Sequence, residues 1–408
     1  MTRFWHPFAD MAKVAAQGEL RLVRGQGVRV YDEHGREYLD STAALWYCMV
    51  GYGREEIAAA AAEQLRALAS YSCYADISAG PTSELAERIA ALAPVPDSVV
   101  FFTSGGGEAI DTAAKMARFH WHVEGQPQRT VVIARERAYH GMNAYGTSLA
   151  GAPAFSEGIG TLVPEVVHVP WDSAAALRDA IDERTAAFFC EPVIGAGGVL
   201  APPPGYLEEV RRICRDSGVL FVADEVITGF GRLGHWFASE RFALEPDLIV
   251  FAKGRTSGYL PLGGVVAAPR VWEPVWSRAG LWRHGYTYSG HATVAAASLA
   301  NIDVLERERI VERALGLERE LADALAPLGA HALVSEIRSG TGVLAAIQLV
   351  EPGQADAVVA AAREHGVLTR AVLGGALQIS PALVIERAEL DELAERLGAA
   401  LDAVAAAA

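Results

Sequence analysis

Lysine is nearly missing from this chain. Its 408 residues hold 35 Lys+Arg, and only Lys13, Lys115 and Lys253 are lysine, which leaves 35 − 3 = 32 arginines. Arginine replaces lysine wherever only a positive charge is wanted, but it cannot lose a proton and attack a carbonyl. Amine chemistry therefore has three candidates. Cysteine is also scarce: Cys48, Cys73, Cys190 and Cys214 stand far apart with no CxxC, which fits reduced thiols and no metal better than a disulfide framework or a zinc site. No apolar run reaches the ~18–20 residues of a spanning helix, so no membrane segment is expected. The opening MTRFWHPFAD lacks the apolar core of a signal peptide, so a cytoplasmic location is expected. Against 50 Asp+Glu the net charge is −15, which argues against nucleic acid as a partner.

What is present is an ordinary globular composition, 51% hydrophobic and 21% charged. Short apolar runs at 99–103, 130–134, 186–190, 219–223, 248–252 and 263–268 alternate with helical or turn segments. The pattern predicts an α/β fold with a mostly parallel sheet covered on both faces. Helices are expected at 55–69 and at 83–93, the latter capped by Ser83. Beyond residue 290, helical patterns at 292–326 and 388–403 bracket strand-like pieces at 342–350 and 376–380, as in a smaller α+β domain. A hairpin, 27–31 and 36–39 around the turn 32–35, is expected to pack with it. The alanine-rich tail 399–408 reads as a fraying helix end.

The ends of successive strands carry chemistry. The first runs into Ser104-Gly105-Gly106-Gly107 and a helix, a cradle for an anion. The others lead to Tyr139-His140-Gly141, to Glu191, to Asp224 and to Lys253. In an open α/β sheet, ligands bind outside the carboxyl ends of the strands. Each residue alone has a plain reading: a glycine turn, a packing aromatic, a loop acid, a solvated lysine. Together they supply an amine, a carboxylate, an aromatic face and an anion cradle, which is what pyridoxal phosphate requires. Lys13 lies in the N-terminal segment, and Lys115 reads as an i,i+4 partner of Asp111. Lys253, just past an apolar strand whose burial lowers an amine's pKa, is the Schiff-base candidate. The rival is a nicotinamide dehydrogenase, since residues 229–234 satisfy G-x-G-x-x-G; that motif, however, neither ends a strand nor opens a helix.

DEVITGFGRLGHWFA followed by PDLIVFAKGRTSGYLPLGGVV resembles the signature of class III pyridoxal-phosphate-dependent aminotransferases. SGGGEAIDTAAKMAR, AYHG, EPVIGAGGVLAPPPGYLEEV, HGYTYSGHATVAAA and ISPALVIERAELDEL extend the resemblance over nearly the whole chain. LWYCMVGYGR is most like the ω-amino acid:pyruvate and amine:pyruvate transaminases.

The resemblance implies a fold-type-I architecture: a large cofactor domain at 41–290, a small domain from 1–40 and 291–408, and a homodimer with shared active sites. It implies pyridoxal 5'-phosphate as cofactor and a ping-pong transfer from a primary amine or ω-amino acid to an oxo acid such as pyruvate or 2-oxoglutarate. Aminomutase, racemase or decarboxylase chemistry on the same fold is the alternative. By the same resemblance Lys253 carries the aldimine and Asp224 faces the pyridinium nitrogen. Val226 and Tyr139 flank the ring, Gly106 and Gly107 bind phosphate, and Glu191 has an orienting role. Thr287 reaches the neighbouring subunit's phosphate, Arg370 pairs with a substrate carboxylate, and Trp46, Tyr74 and Ala196 form pocket walls. There are departures. Relatives usually carry Ser or Thr where Gly107 stands, residues 155–185 are a shortened region, and Ala75 stands where a large aromatic is usual, which implies a roomier pocket.

Overall fold

The computed structural model describes residues 2–407. At its centre is a seven-stranded sheet. The order across it is Val99–Thr103, Gly263–Ala267, Leu248–Phe251, Leu220–Asp224, Thr185–Cys190, Val131–Arg135 and Val166–Val169. The five strands from Leu248–Phe251 to Val166–Val169 pair in parallel, and Gly263–Ala267 runs antiparallel to both its neighbours. The central strands are buried at every position, as their unbroken apolar sequences require.

One face packs on the helix Gly106–Val123, which presents Ala109, Ile110, Ala113, Ala114, Ala117 and Trp121 to the sheet. The alanines allow the helix axis to lie close. The other face packs on Tyr206–Asp216 through Leu207, Val210 and Ile213. Gly263 permits a second close approach: a Cβ there would stand 2.5 Å from Gly105, so glycine is what lets the 104–107 turn settle over the neighbouring strand.

Both chain ends build the smaller α+β region. The N-terminal hairpin, Arg29–Asp32 and Glu37–Asp40, is joined by Leu22–Gln26 on one side. On the other, Val367–Leu368 pairs in parallel, with Val367 opposite Leu39. Arg29 adds an ion pair to Glu392 at 2.6 Å, on the C-terminal helix Arg387–Ala407. A four-stranded antiparallel sheet (Val334–Arg338, Ala345–Leu349, Ala376–Ile379, Ala371–Val372) completes the region.

Several local expectations need correction. The helix expected at 83–93 begins earlier, at Gly80–Leu92, with Ala79 as its cap and a proline in its first turn. Ser83 lies inside it, bonded to Ser78. The stretch 292–326 is two helices, Ala292–Arg307 and Ile310–Leu325, divided at Arg309, whose φ is 52°. The tail remains helical to Ala407, and Ala408 lies outside the described residues. Lys115 is exposed, and Asp111 instead accepts from the N–H groups of Tyr145 (3.0 Å) and Gly146 (3.3 Å). All four cysteines are free thiols. Among the described residues, no helix is long and apolar enough to cross a membrane.

Candidate active site

A cavity of about 460 Å³ opens at the carboxyl ends of the central strands. Gly106, Gly107, Tyr139, Glu191, Asp224, Val226 and Lys253 all line it. Seven residues spread over 148 positions (253 − 106 + 1) therefore converge because each follows a strand of one sheet or opens the helix beside it.

Lys253 opens a single turn, Lys253–Arg255, directly after the strand Leu248–Phe251. Its φ is +44°, a backbone region few non-glycine residues occupy. The turn is clamped from behind by the helix Ala292–Arg307. Asn301 donates to the carbonyls of Gly254 (3.1 Å) and Arg255 (3.0 Å), and Arg255 donates to Ser298 O at 3.1 Å. Burial lowers the Lys253 amine to about 8, against the opposing charges of Asp224 and Glu191 and with some help from Arg370. Roughly a tenth of the amine is then neutral at pH 7.

Asp224 ends its strand and is buried. Its Oδ1 accepts from Val226 N at 3.1 Å, and its Oδ2 accepts from His140 Nδ1 at 2.6 Å. An ionised carboxylate only accepts, so Nδ1 carries the proton. His140 is itself buried, and its Nε2 has no hydrogen-bond partner among the described residues. The sequence motif YHG draws attention to this histidine, but nothing in it names the partner. The pairing exists only because two strand ends adjoin.

Glu191 is buried and accepts from Tyr139 N and Gly195 N, each at 3.1 Å. Burial raises its pKa, against the pull of its cationic neighbours. It thus fixes the backbone that carries Tyr139. The Tyr139 ring meets Phe155 edge-on, 5.0 Å between centroids. Gly106 and Gly107 open an 18-residue helix, whose first N–H groups lack helical partners and favour an anion. A Cβ on Gly107 would stand 3.1 Å from Asn143 Oδ1, so the Asn143 amide already lies where a side chain at 107 would enter.

Trp46 and Arg370 form an adjoining wall. The buried Trp46 ring has Lys253 Nζ 5.7 Å and Arg370 Cζ 4.3 Å from its centroid. Burial brings the Arg370 guanidinium down to about 10. Ala196 lies one layer out: its carbonyl accepts from Leu373 N at 3.1 Å, and it packs on the cluster that contains Trp46. Tyr74 and Thr287 are not brought to this cavity within one chain; both are exposed, Tyr74 near Gly285. Ala75 is exposed beside Tyr74.

The glycine-rich segment 229–234 is a buried turn. Phe230 N donates to Trp236 O (2.6 Å) and Gly231 N to His235 O (3.0 Å), so it opens no helix toward a ligand and the dinucleotide reading fails.

The residues fit pyridoxal phosphate. A desolvated amine, a carboxylate held on two sides and a helix start converge on one cavity of sufficient size. Comparison with known proteins agrees. The family model for Aminotransferase class-III matches residues 11–401. A putrescine–pyruvate aminotransferase of Pseudomonas aeruginosa is 40% identical, over 98% of this chain and 94% of its own length. A transaminase structure from the marine bacterium Virgibacillus superposes with a TM-score of 0.95 at 37% identity, covering 98% of this chain and 97% of that one. The ω-transaminase of Pseudomonas jessenii in complex with PMP superposes with a TM-score of 0.95 at 33% identity, covering 99% and 96%.

Proposed function

The chain belongs to the class III aminotransferases, pyridoxal-phosphate enzymes of fold type I, and on that premise we propose how its own residues divide the work. The reaction is the transfer of an amino group from a primary amine or ω-amino acid to an oxo acid, pyruvate before 2-oxoglutarate. The observation that carries the reading is the Lys253 amine, desolvated to about 8 in the same cavity as the Asp224 carboxylate and the helix start at Gly106. Similarity to a putrescine–pyruvate enzyme supports a diamine or ω-amino donor and pyruvate as acceptor.

When bound, pyridoxal phosphate supplies an aldehyde that takes up the amino group and a ring that accepts the electron pair of the deprotonated substrate carbon. Lys253 Nζ holds the cofactor between turnovers. Once free, the neutral Lys253 amine would take the proton from the substrate carbon and deliver it to the cofactor's aldehyde-derived carbon, and would run the same transfer in reverse for the oxo acid. The Asp224 carboxylate, its orientation fixed by His140, would partner the ring nitrogen. The N–H groups of Gly106 and Gly107 would take the phosphate. Tyr139 and Val226 would hold the ring from its two faces, and Glu191 acts through the Tyr139 backbone. Arg370, beside Trp46, receives the carboxylate of the oxo acid.

The remaining assignments follow the family. The chain works as a homodimer in the cytoplasm, divided at 1–40, 41–290 and 291–408. The exposure of Thr287 suits a residue that reaches a neighbouring subunit's phosphate, while the exposed Tyr74 and the outer-layer Ala196 border the pocket without lining this chain's cavity. A donor–acceptor panel tests the reading: putrescine and β-alanine as donors, pyruvate and 2-oxoglutarate as acceptors. Alanine formed from pyruvate only when an amine is present supports it. An amine isomerised, racemised or decarboxylated without nitrogen transfer assigns another reaction type.

A further inference from the structure

Arg370 is a largely buried cation that makes no ion pair among the described residues. Among the same residues its one side-chain hydrogen bond is from Nε to Gln378 Oε1 at 2.6 Å. Gln378 lies in the strand Ala376–Ile379 and is fully buried. Its Nε2 donates to Ser380 Oγ (2.6 Å) and to Thr42 O (3.3 Å). The amide cannot be turned over, because the arginine only donates and the Thr42 carbonyl only accepts. Thr42 O also accepts from Trp46 N at 2.9 Å. One buried amide therefore joins the guanidinium to the segment that carries the ring beneath it. That segment is tightly determined: Ala43, Ala44 and Trp46 all have positive φ, at 47°, 56° and 62°.

This geometry leaves a planar fork fixed at its inner nitrogen, lying over an indole face, with both terminal nitrogens uncommitted to any carboxylate. Such a fork matches a carboxylate bidentately. We propose that Gln378 is a positioning residue for acceptor recognition: it holds Arg370 by Nε against Trp46 so that the terminal nitrogens are kept for the carboxylate of the oxo acid. The inference rests on the reading of Arg370 as the carboxylate site. It also explains why a neutral amide occupies the position. A carboxylate at 378 would hold the same nitrogen but neutralise the guanidinium and compete with the substrate. An apolar side chain would release the guanidinium from its place on the ring.

The test uses the holoenzyme and four variants: Gln378→Leu, Gln378→Glu, Arg370→Ala and the Arg370→Ala/Gln378→Leu pair. Binding of propanoate, an unreactive carboxylate, is measured by titration calorimetry, and KM is measured for pyruvate and for butylamine. Both Gln378 variants are expected to weaken propanoate and raise the pyruvate KM roughly 10-fold, the scale of one hydrogen bond to a charged group. The butylamine KM should stay within about 2-fold, because that substrate has no carboxylate. In the Arg370→Ala background, Gln378→Leu should add nothing. If Gln378→Leu does not fold, the near-isosteric Gln378→Glu carries the comparison. Arg370→Ala with undiminished propanoate binding overturns the carboxylate reading and this inference with it. Weakened binding in Arg370→Ala but parental binding in both Gln378 variants overturns the positioning role alone.

Discussion

His140→Phe is the sharpest perturbation of the proposed chemistry, because it removes a contact without touching the cavity's lysine or carboxylate. The ring is buried edge-on to Phe189, 6.0 Å between centroids, so a phenyl group preserves most of the volume. What disappears is the 2.6 Å bond from Nδ1 to Asp224 Oδ2, leaving the Val226 N–H at 3.1 Å as the carboxylate's remaining partner. A hydrogen bond to a charged group contributes about 1.5–3 kcal/mol. If that energy serves to hold the negative charge where the ring nitrogen meets it, kcat falls about 10- to 100-fold. The half-reaction with an amine donor, followed by the loss of cofactor absorbance in a stopped-flow instrument, isolates the step. Asp224→Asn should be worse, and combining it with His140→Phe should add little, since both act through one carboxylate. A His140→Phe enzyme with parental half-reaction rates and an unchanged Tm would refute the reasoning, because the buried pair would then serve neither chemistry nor stability.

The other predictions concern pH. The Lys253 amine, lowered by burial to about 8, is protonated below that value and attacks only when neutral. Uptake of pyridoxal phosphate by the apoenzyme should therefore rise about tenfold per pH unit up to about 8 and then level; a rate still climbing at pH 10 would show an ordinary lysine. Glu225 is buried, and burial raises its carboxyl to about 7 against bonds from Ala238 N, Ser239 N and Ser239 Oγ. Its folded pKa lies above its unfolded one, so the native state binds the extra proton between about 4.5 and 7, and stability is lost as pH rises through that window. The loss is at most about 3 kcal/mol. Comparing urea unfolding at pH 5 and pH 7.5 for the parent and Glu225→Gln checks it: the variant should lose this share of the pH dependence.

How much the sequence revealed follows from what each residue depends on. The central strands were readable because burial on both faces demands unbroken apolar runs, as in Thr185–Cys190 and Leu248–Phe251. The edge strand Val166–Val169 escaped, since only Val169 is fully buried and its composition resembles a loop. Ser83 looked like a cap because its type suits one, yet Pro81 favours a start at residue 80. Asp111 and Lys115 have ion-pair spacing, but spacing is blind to the two backbone N–H groups that claim the acid. Lys253, Asp224 and Glu191 were legible because strand ends converge in any parallel sheet. The His140–Asp224 and Gln378–Arg370 contacts were not, because each needs the register of separate elements to be known.

The central claim is that Lys253 is the amine that holds the cofactor. The chain has three lysines, so a direct measurement has three possible answers. Holoenzyme reduced with borohydride, digested and mapped by mass spectrometry is predicted to carry the pyridoxyl group on the peptide containing Lys253 alone. The same group on the exposed Lys13 or Lys115 in place of Lys253, or multiple turnovers by purified Lys253→Ala, would contradict the account.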